Sequence, residues 1–283
     1  MVIDGTDAIV QIGTPAKYQA YIYNAVGEIS YLLVETPILS IATATGGTVT
    51  EIDGFTVHTF TSSGNFVVEG GSLEVEYLVV GGGGGTDSSA LERGGSGGGG
   101  AGGLLSNIIT LSGSTYNIVV GAGGSGLSQG GNSDFNSFIA YGGGLGTQQT
   151  GNRNGASGGG QGILNNVPTA SIGTGIDGQG NNGGSASTGN SGTTGGGGGA
   201  GAAGSTGTGG IGYESSISGT PTYYAGGGAG QSVNSTTYSG GLGGGGNSRT
   251  NGTINTGGGA GGHAPYNSGY NGGSGIVIIR YTK

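Results

Sequence analysis

The sequence predicts an all-β protein: an antiparallel β-sandwich joined to packed glycine-rich polyproline-II (polyglycine II) segments, with loops held outward and essentially no α-helix. Three observations predict it. Strand-like apolar runs abut glycine runs directly, residues 74–80 before Gly81 to Gly85, 116–120 before 121–124, and, in reverse order, 272–275 before 276–279. Glycine supplies 79 of 283 residues and proline only 5, so collagen's strict triplet composition is absent. Short apolar strands such as 108–111 punctuate the glycine, which sets the chain apart from a flexible linker.

Residues 1–48 carry ordinary amounts of glycine, and 9–12, 17–23 and 29–35 read as short strands rich in β-branched and aromatic residues. In the second of these, Tyr18, Ala20 and Ile22 share one face and Gln19, Tyr21 and Tyr23 the other, so both faces are partly apolar. Fewer than 50 residues rarely sustain a core unaided. The segment is therefore expected to act as an attachment or oligomerisation module, with extra strands of the following sandwich as the alternative. Residues 49–283 form the second region. In its opening stretch Phe55, Val57 and Thr59 alternate with Thr56, His58 and Phe60, which puts His58 on the solvent side of a half-buried strand. A turn at 62–64, a strand at 65–68, a turn at 69–71 and the strand 74–80 complete an antiparallel β opening.

Beyond Gly81 the chain is a series of glycine clusters at 97–103, 121–126, 142–146, 158–162, 195–204, 226–230, 240–246 and 257–262, too uneven for a solenoid of fixed period. Glycine weakens a strand because it surrenders the most backbone freedom and packs no side chain. It does let backbones approach closely, as at the crowded axis of collagen. Polyproline-II rods have no internal hydrogen bonds, so buried rods must bond laterally, with Cα–H···O contacts adding to the lattice. The inserts 145–154, 161–177, 211–225, 231–239 and 263–271 are then expected to emerge at the ends of the stack.

The stretches 54–66 (Gly-Phe-Thr-Val-His-Thr-Phe-Thr-Ser-Ser-Gly-Asn-Phe), 76–85, 116–124 and 272–281 resemble the glycine-rich domain of tailed-bacteriophage tail-fibre and adhesin proteins, over residues 50–283. The chain is also similar to the polyglycine-sandwich adhesins of T-even phages, although its clusters are less regular. The resemblance implies a virion structural protein, assembled in the host cytoplasm, exposed on the particle and presenting loops for host-surface recognition. It further implies a homo-oligomer, with a trimer suspected, whose partners are other virion proteins through residues 1–48 and a host surface protein or glycan. A capsid decoration or head-fibre protein with a purely structural role is the alternative. An ice-binding protein would want a regular period and one flat face.

No catalytic constellation is expected, and the protein is not predicted to be an enzyme. Residues 121–126 satisfy the dinucleotide fingerprint, but 127–133 is a poor helix start and no carboxylate follows at the ribose distance. Asp87, Asp134 and Asp177 stand too far apart for calcium-binding repeats. His58 and His263 have no metal-ligand spacing, no lysine completes a phosphate loop, and no helix follows a nucleophile elbow. The expectation is no cofactor and no metal. With 6 Lys and Arg and net charge −8 there is no basic face for nucleic acid. No apolar run approaches the ~20 residues of a membrane-spanning helix, and no signal peptide opens the chain. With no cysteine, the redox compartment is not legible.

Recognition then falls to the inserts. Tyr213, Tyr223, Tyr224, Tyr238, Tyr266 and Tyr270 lie in them and are the receptor-binding candidates, because tyrosine offers a rigid contact area tipped by a hydroxyl. The competing expectation is that they cap the ends of the glycine stack.

Overall fold

The computed structural model describes residues 42–87, 94–148, 151–165, 167–169, 171–188, 192–232, 234, 236–263 and 269–283, together with the strands of residues 1–41. The chain forms two compact units, Met1–Ile41 and Ala42–Lys283. The first unit contains β1 (Val2–Asp4), β2 (Asp7–Ala8), β3 (Val10–Ile12), β4 (Tyr18–Tyr23) and β5 (Ile29–Val34), with β1 paired to β2 and β3-β4-β5 in one antiparallel sheet. Whether both faces of the strand at 17–23 are covered lies outside the described residues. The break falls at 41/42 rather than at 48/49. The reason is β6 (Thr43–Thr45), which pairs with a strand of the second unit although its composition looks like the first.

In the second unit a sandwich is built from two five-stranded antiparallel sheets. One has the order β11-β10-β19-β8-β7 and the other β14-β13-β12-β9-β6. The first sheet comprises β7 (Thr48–Ile52), β8 (Phe55–Phe60), β10 (Leu73–Val80), β11 (Leu104–Leu111) and the C-terminal β19 (Ile276–Thr282). The second comprises β6, β9 (Gly64–Glu69), β12 (Ser114–Val119), β13 (Ser133–Phe135) and β14 (Phe138–Ala140). Among the described residues there is no helix. Alternate residues of each strand meet in the middle: Phe60, Val75, Tyr77, Val79, Val277 and Ile279 from the first sheet face Phe66, Val68, Ile118 and Phe135 from the second.

The first sheet is buried on its other face as well. There Val57, Leu78, Val80, Leu104, Ile276 and Ile278 pack against Ile217, Tyr224 and Ala225. These last three belong to an insert containing the hairpin β17 (Tyr213–Ser215) and β18 (Thr222–Tyr224); a further hairpin pairs β15 (Gly162–Leu164) with β16 (Val167–Thr169). The insert 211–225 thus returns onto the sheet instead of projecting from the end of the stack. Arg280 fastens it: the guanidinium binds Glu76 at 2.6 Å, donates to the Ser216 carbonyl at 2.9 Å and lies 4.6 Å over the Phe55 ring.

Coverage of both faces also corrects His58. It does not face solvent; it is fully buried between the sheets, 5.1 Å edge-on from Phe66 and stacked 5.7 Å from Tyr281. Its Nδ1 lies 2.7 Å from the Gly46 carbonyl oxygen. A carbonyl can only accept, so Nδ1 carries the proton of the neutral ring. The bond anchors the crossing from β6 to β7, where Gly46 takes φ +120° and a Cβ would stand 2.1 Å from the Asn65 carbonyl oxygen.

Burial holds the His58 pKa below 6.5, partly opposed by the bond to Gly46. The unfolded chain therefore takes up a proton at His58 that the folded chain refuses. The stability associated with this residue is complete above about pH 6.5, falls as pH drops through that value, and levels off below the folded-state pKa. Melting curves across this range should show His58→Phe with a shallower acid slope than the wild type. Equal slopes would refute the assignment.

The glycine runs continue the strands as rods. Rod 81–87 leaves β10, and its amides turn to three neighbours in rotation: Gly81 and Gly84 donate to Gly103 and Gly100, Gly82 and Gly85 to Gly131 and Ser128, Gly83 and Thr86 to Gly273 and Tyr270, all at 2.8–3.1 Å. A period of three in the bonds is the three residues per turn of polyproline II, and three steps forward against three back makes each of these neighbours antiparallel. The carbonyls take the remaining directions, Gly82 and Gly85 accepting from Gly143 and Gly146, Gly83 from Gly124, and Gly84 from Ala260.

Six rods thus surround this one. The rod that ends at Gly103 is surrounded in the same way: its amides reach Gly195 and Gly198, His263, Ala260 and Gly257, and Gly144 and Tyr141, and its carbonyls accept from Gly160 and Ser157, Gly84 and Gly81, and Gly228. Hexagonal packing of bare main chain satisfies every direction in which these two rods present a polar group.

Candidate functional site

The rods carry their far ends away from the sandwich. At about 3.1 Å per residue, rod 81–87 spans roughly 20 Å. A buried polar knot closes that end. The Asp87 carboxylate accepts from the Thr147 hydroxyl at 2.7 Å and the Gln148 amide at 2.9 Å, and stands 3.6 Å from Nε2 of the fully buried His263. The ring also meets the Asp87 carbonyl, while the His263 amide and carbonyl bond to Ser96.

Arg153, 7% exposed, donates to the Thr147 carbonyl at 3.1 Å. Burial pulls its pKa down and the negative charge of Asp87 pulls it up. The knot joins four rods whose residues are far apart in sequence, and sequence spacing gave no sign of it. It has acid, base and hydroxyl side by side, but all are withdrawn from solvent, so the arrangement fastens rods and offers no surface to a substrate. Among the described residues no cluster of three or more His, Cys, Asp or Glu side chains could hold a metal ion, and no helix is long and apolar enough to cross a membrane, which says nothing of a β-barrel.

The candidate tyrosines do not converge. Tyr213 and Tyr224 face each other across the hairpin, and Tyr223 pairs with Glu214. Tyr213 is half exposed and walls a groove of about 260 Å³ with Leu105, Ser106 and Gln179. Tyr224 is buried beside Leu78 and Ile278 and presents no surface to a partner. Tyr238 and Tyr270 belong to the remote end. Tyr238 is partly buried, its hydroxyl 3.2 Å from that of Thr193, and its amide and carbonyl bond to Ser248. Tyr270 exchanges bonds with Thr86, donating to its hydroxyl and accepting from its amide, both at 2.9 Å. Tyr266 lies outside the described residues.

Sequence reasoning missed a second exposed aromatic position. Tyr141, 43% exposed, follows β14 and stands in a groove of about 300 Å³ with Gln129, Asn132, Asn154, Thr174 and Ile176. The missing signal was position: Tyr141 abuts a glycine cluster and belongs to none of the long inserts.

Two comparisons bear on the chain. A family model described as a glycine-rich domain matches residues 59–282. Curated protein sequences give no significant match.

Proposed function

The chain belongs to the glycine-rich domain family, and from that premise we propose that it is a bacteriophage virion structural protein of tail-fibre or adhesin type, presenting loops for host-surface recognition. One observation carries the proposal. A lattice whose two central rods each bond to six neighbours holds its inserts on a rigid backbone frame, and its far end stands roughly 20 Å beyond the sheets. Binding residues are disproportionately found on loops held by such scaffolds. In this proposal residues 1–41 join the other virion proteins, the second unit faces outward, and the chain works as a homo-oligomer on the particle, a trimer by likeness to fibres.

The test separates the two units. A chain that starts at Ala42 is expected to stay folded, with a melting temperature within a few degrees of the full chain, and to lose particle association. A remainder that unfolds, or that still joins particles, overturns the assignment. Decoration of the capsid is the competing function, and the burial of Tyr224 together with the contact of the Tyr238 hydroxyl with Thr193 favours it. Adsorption of particles carrying Tyr213→Ala and Tyr141→Ala together decides: reduced adsorption supports recognition, and unchanged adsorption supports decoration.

A further inference from the structure

The groove at Tyr141 is furnished for a ligand. Ser133 pairs with Ala140 in the β13–β14 hairpin, and both are buried towards the core. The residues one step beyond, Asn132 and Tyr141, lie opposite each other and point to the other side. Segments 129–132, 154–155 and 174–176 close the groove around them, over a floor of glycine backbone.

Its polar side chains are held in fixed orientations. The Asn132 side-chain oxygen accepts from the Gly142 amide at 2.9 Å, and that of Asn154 accepts from the Thr174 amide at 2.9 Å. A backbone amide can bond only an oxygen, so these two contacts settle which end of each side chain is which. Gln129 adds a brace, donating to the Asn154 carbonyl and accepting from Asn152 at 3.2 Å. The amino groups of Asn132 and Asn154 and the Thr174 hydroxyl then remain without a protein partner among the described residues.

We propose that the groove between Tyr141, Asn132, Asn154 and Thr174 is a binding site for a neutral saccharide. A sugar ring is apolar on its C–H faces and rimmed by hydroxyl oxygens. Tyr141 and Ile176, 43% and 40% exposed, offer the apolar surface. The two amino groups and the hydroxyl offer donors to the rim. No described residue lining the groove is charged, which selects against acidic sugars, because a carboxylate or sulfate would lose water with no cation to replace it. The volume, about 300 Å³, suits one or two rings. Because the donors are already braced, little side-chain freedom is lost on binding. The inference rests on the recognition function proposed above and assigns it a ligand class at a place none of the loop tyrosines occupies.

Asn154→Asp tests it, because the carboxylate still accepts from Thr174 while the free amino donor disappears. Tyr141→Ala removes a ring that is 43% exposed and belongs to neither core cluster. The full chain and both variants should be titrated with glucose, galactose, mannose and N-acetylglucosamine, their β1,4 and α1,4 disaccharides, and galacturonate as the acidic control, following the side-chain amide NMR signals of Asn132 and Asn154. The expected result is that at least one neutral sugar shifts those signals, that each variant weakens binding at least 10-fold with unchanged melting, and that galacturonate does nothing. The proposal is overturned if no neutral sugar moves the signals, if both variants bind as the wild type does, or if galacturonate binds equally well. Sugar binding that instead shifts Tyr213 or the far end overturns this site and leaves surface recognition standing; the adsorption assay reads that function independently.

Discussion

Alanine in place of Gly84 is expected to cost more than about 3 kcal/mol of stability. A Cβ at this position would stand 2.0 Å from the Gly144 carbonyl oxygen and 2.7 Å from its carbonyl carbon, far inside any real contact. The obstacle is backbone, so no rotamer change relieves it. Gly144 cannot simply retreat either, since its amide donates to Ser157 and its carbonyl accepts from Gly100, which in turn accepts from Gly84. One methyl group therefore displaces several rods. The control is Gly64→Ala, at the start of β9, where the nearest atom would be a Phe60 ring carbon at 3.9 Å. With room available, alanine there restricts the unfolded chain and should change stability by less than about 1 kcal/mol. Urea unfolding of the two variants settles the matter: equal losses would mean that the rods are not in close contact.

This contrast explains what the sequence could and could not convey. The junctions were legible because two local rules meet at one bond. Residues 74–80 alternate as a strand, 81–85 cannot form a strand interior, and the chain indeed passes from β10 into a rod at Gly81. The same holds at Gly121 after β12 and at Gly275 before β19. The partners of each rod were not legible, because one glycine is locally the same as another; that Gly84 bonds to Gly100 and Ala260 follows from topology over the whole domain. His58 was misjudged for a related reason. Period-two alternation separates the faces of a strand but does not say that both will be covered: Ile217 to Ala225 return onto the Val57 side, and the second sheet covers the side that His58 shares with Phe60. Among the candidate tyrosines, membership of an insert was visible and direction was not: Tyr213 and Tyr224 share a hairpin, yet one is exposed and the other buried. The groove at Tyr141 needs segments from 129 to 176 brought together, a spacing that carries no local signature.

Truncation of Phe135 to alanine is expected to remove about 3–5 kcal/mol and to loosen the glycine lattice along with the sandwich. Phe135 is fully buried between the sheets, edge-on to Phe66 at 6.2 Å, to Tyr77 at 5.5 Å and to Tyr116 at 6.3 Å, while Phe138 stacks on Tyr77 at 4.9 Å. Loss of the ring opens a cavity lined by residues that are themselves pinned in strands. The lattice follows because it has little else to hold it. Its rods bury few aliphatic side chains, each hydrogen bond contributes only about 0.5–1.5 kcal/mol net, and each glycine loses more conformational freedom than any other residue. What offsets that cost is anchoring: rods 81–87, 121–124 and 270–275 are continuous with β10, β12 and β19, so the sandwich fixes where each begins. Amide exchange tests the dependence. In Phe135→Ala, protection at Gly99 and Gly228, deep in the lattice, should fall by the same free energy as protection at Leu78 and Ile278 in the sheet. Lattice protection that survives while the sheet opens would show that packed main chain is stable on its own, and the sandwich would then be a neighbour of the lattice instead of its foundation.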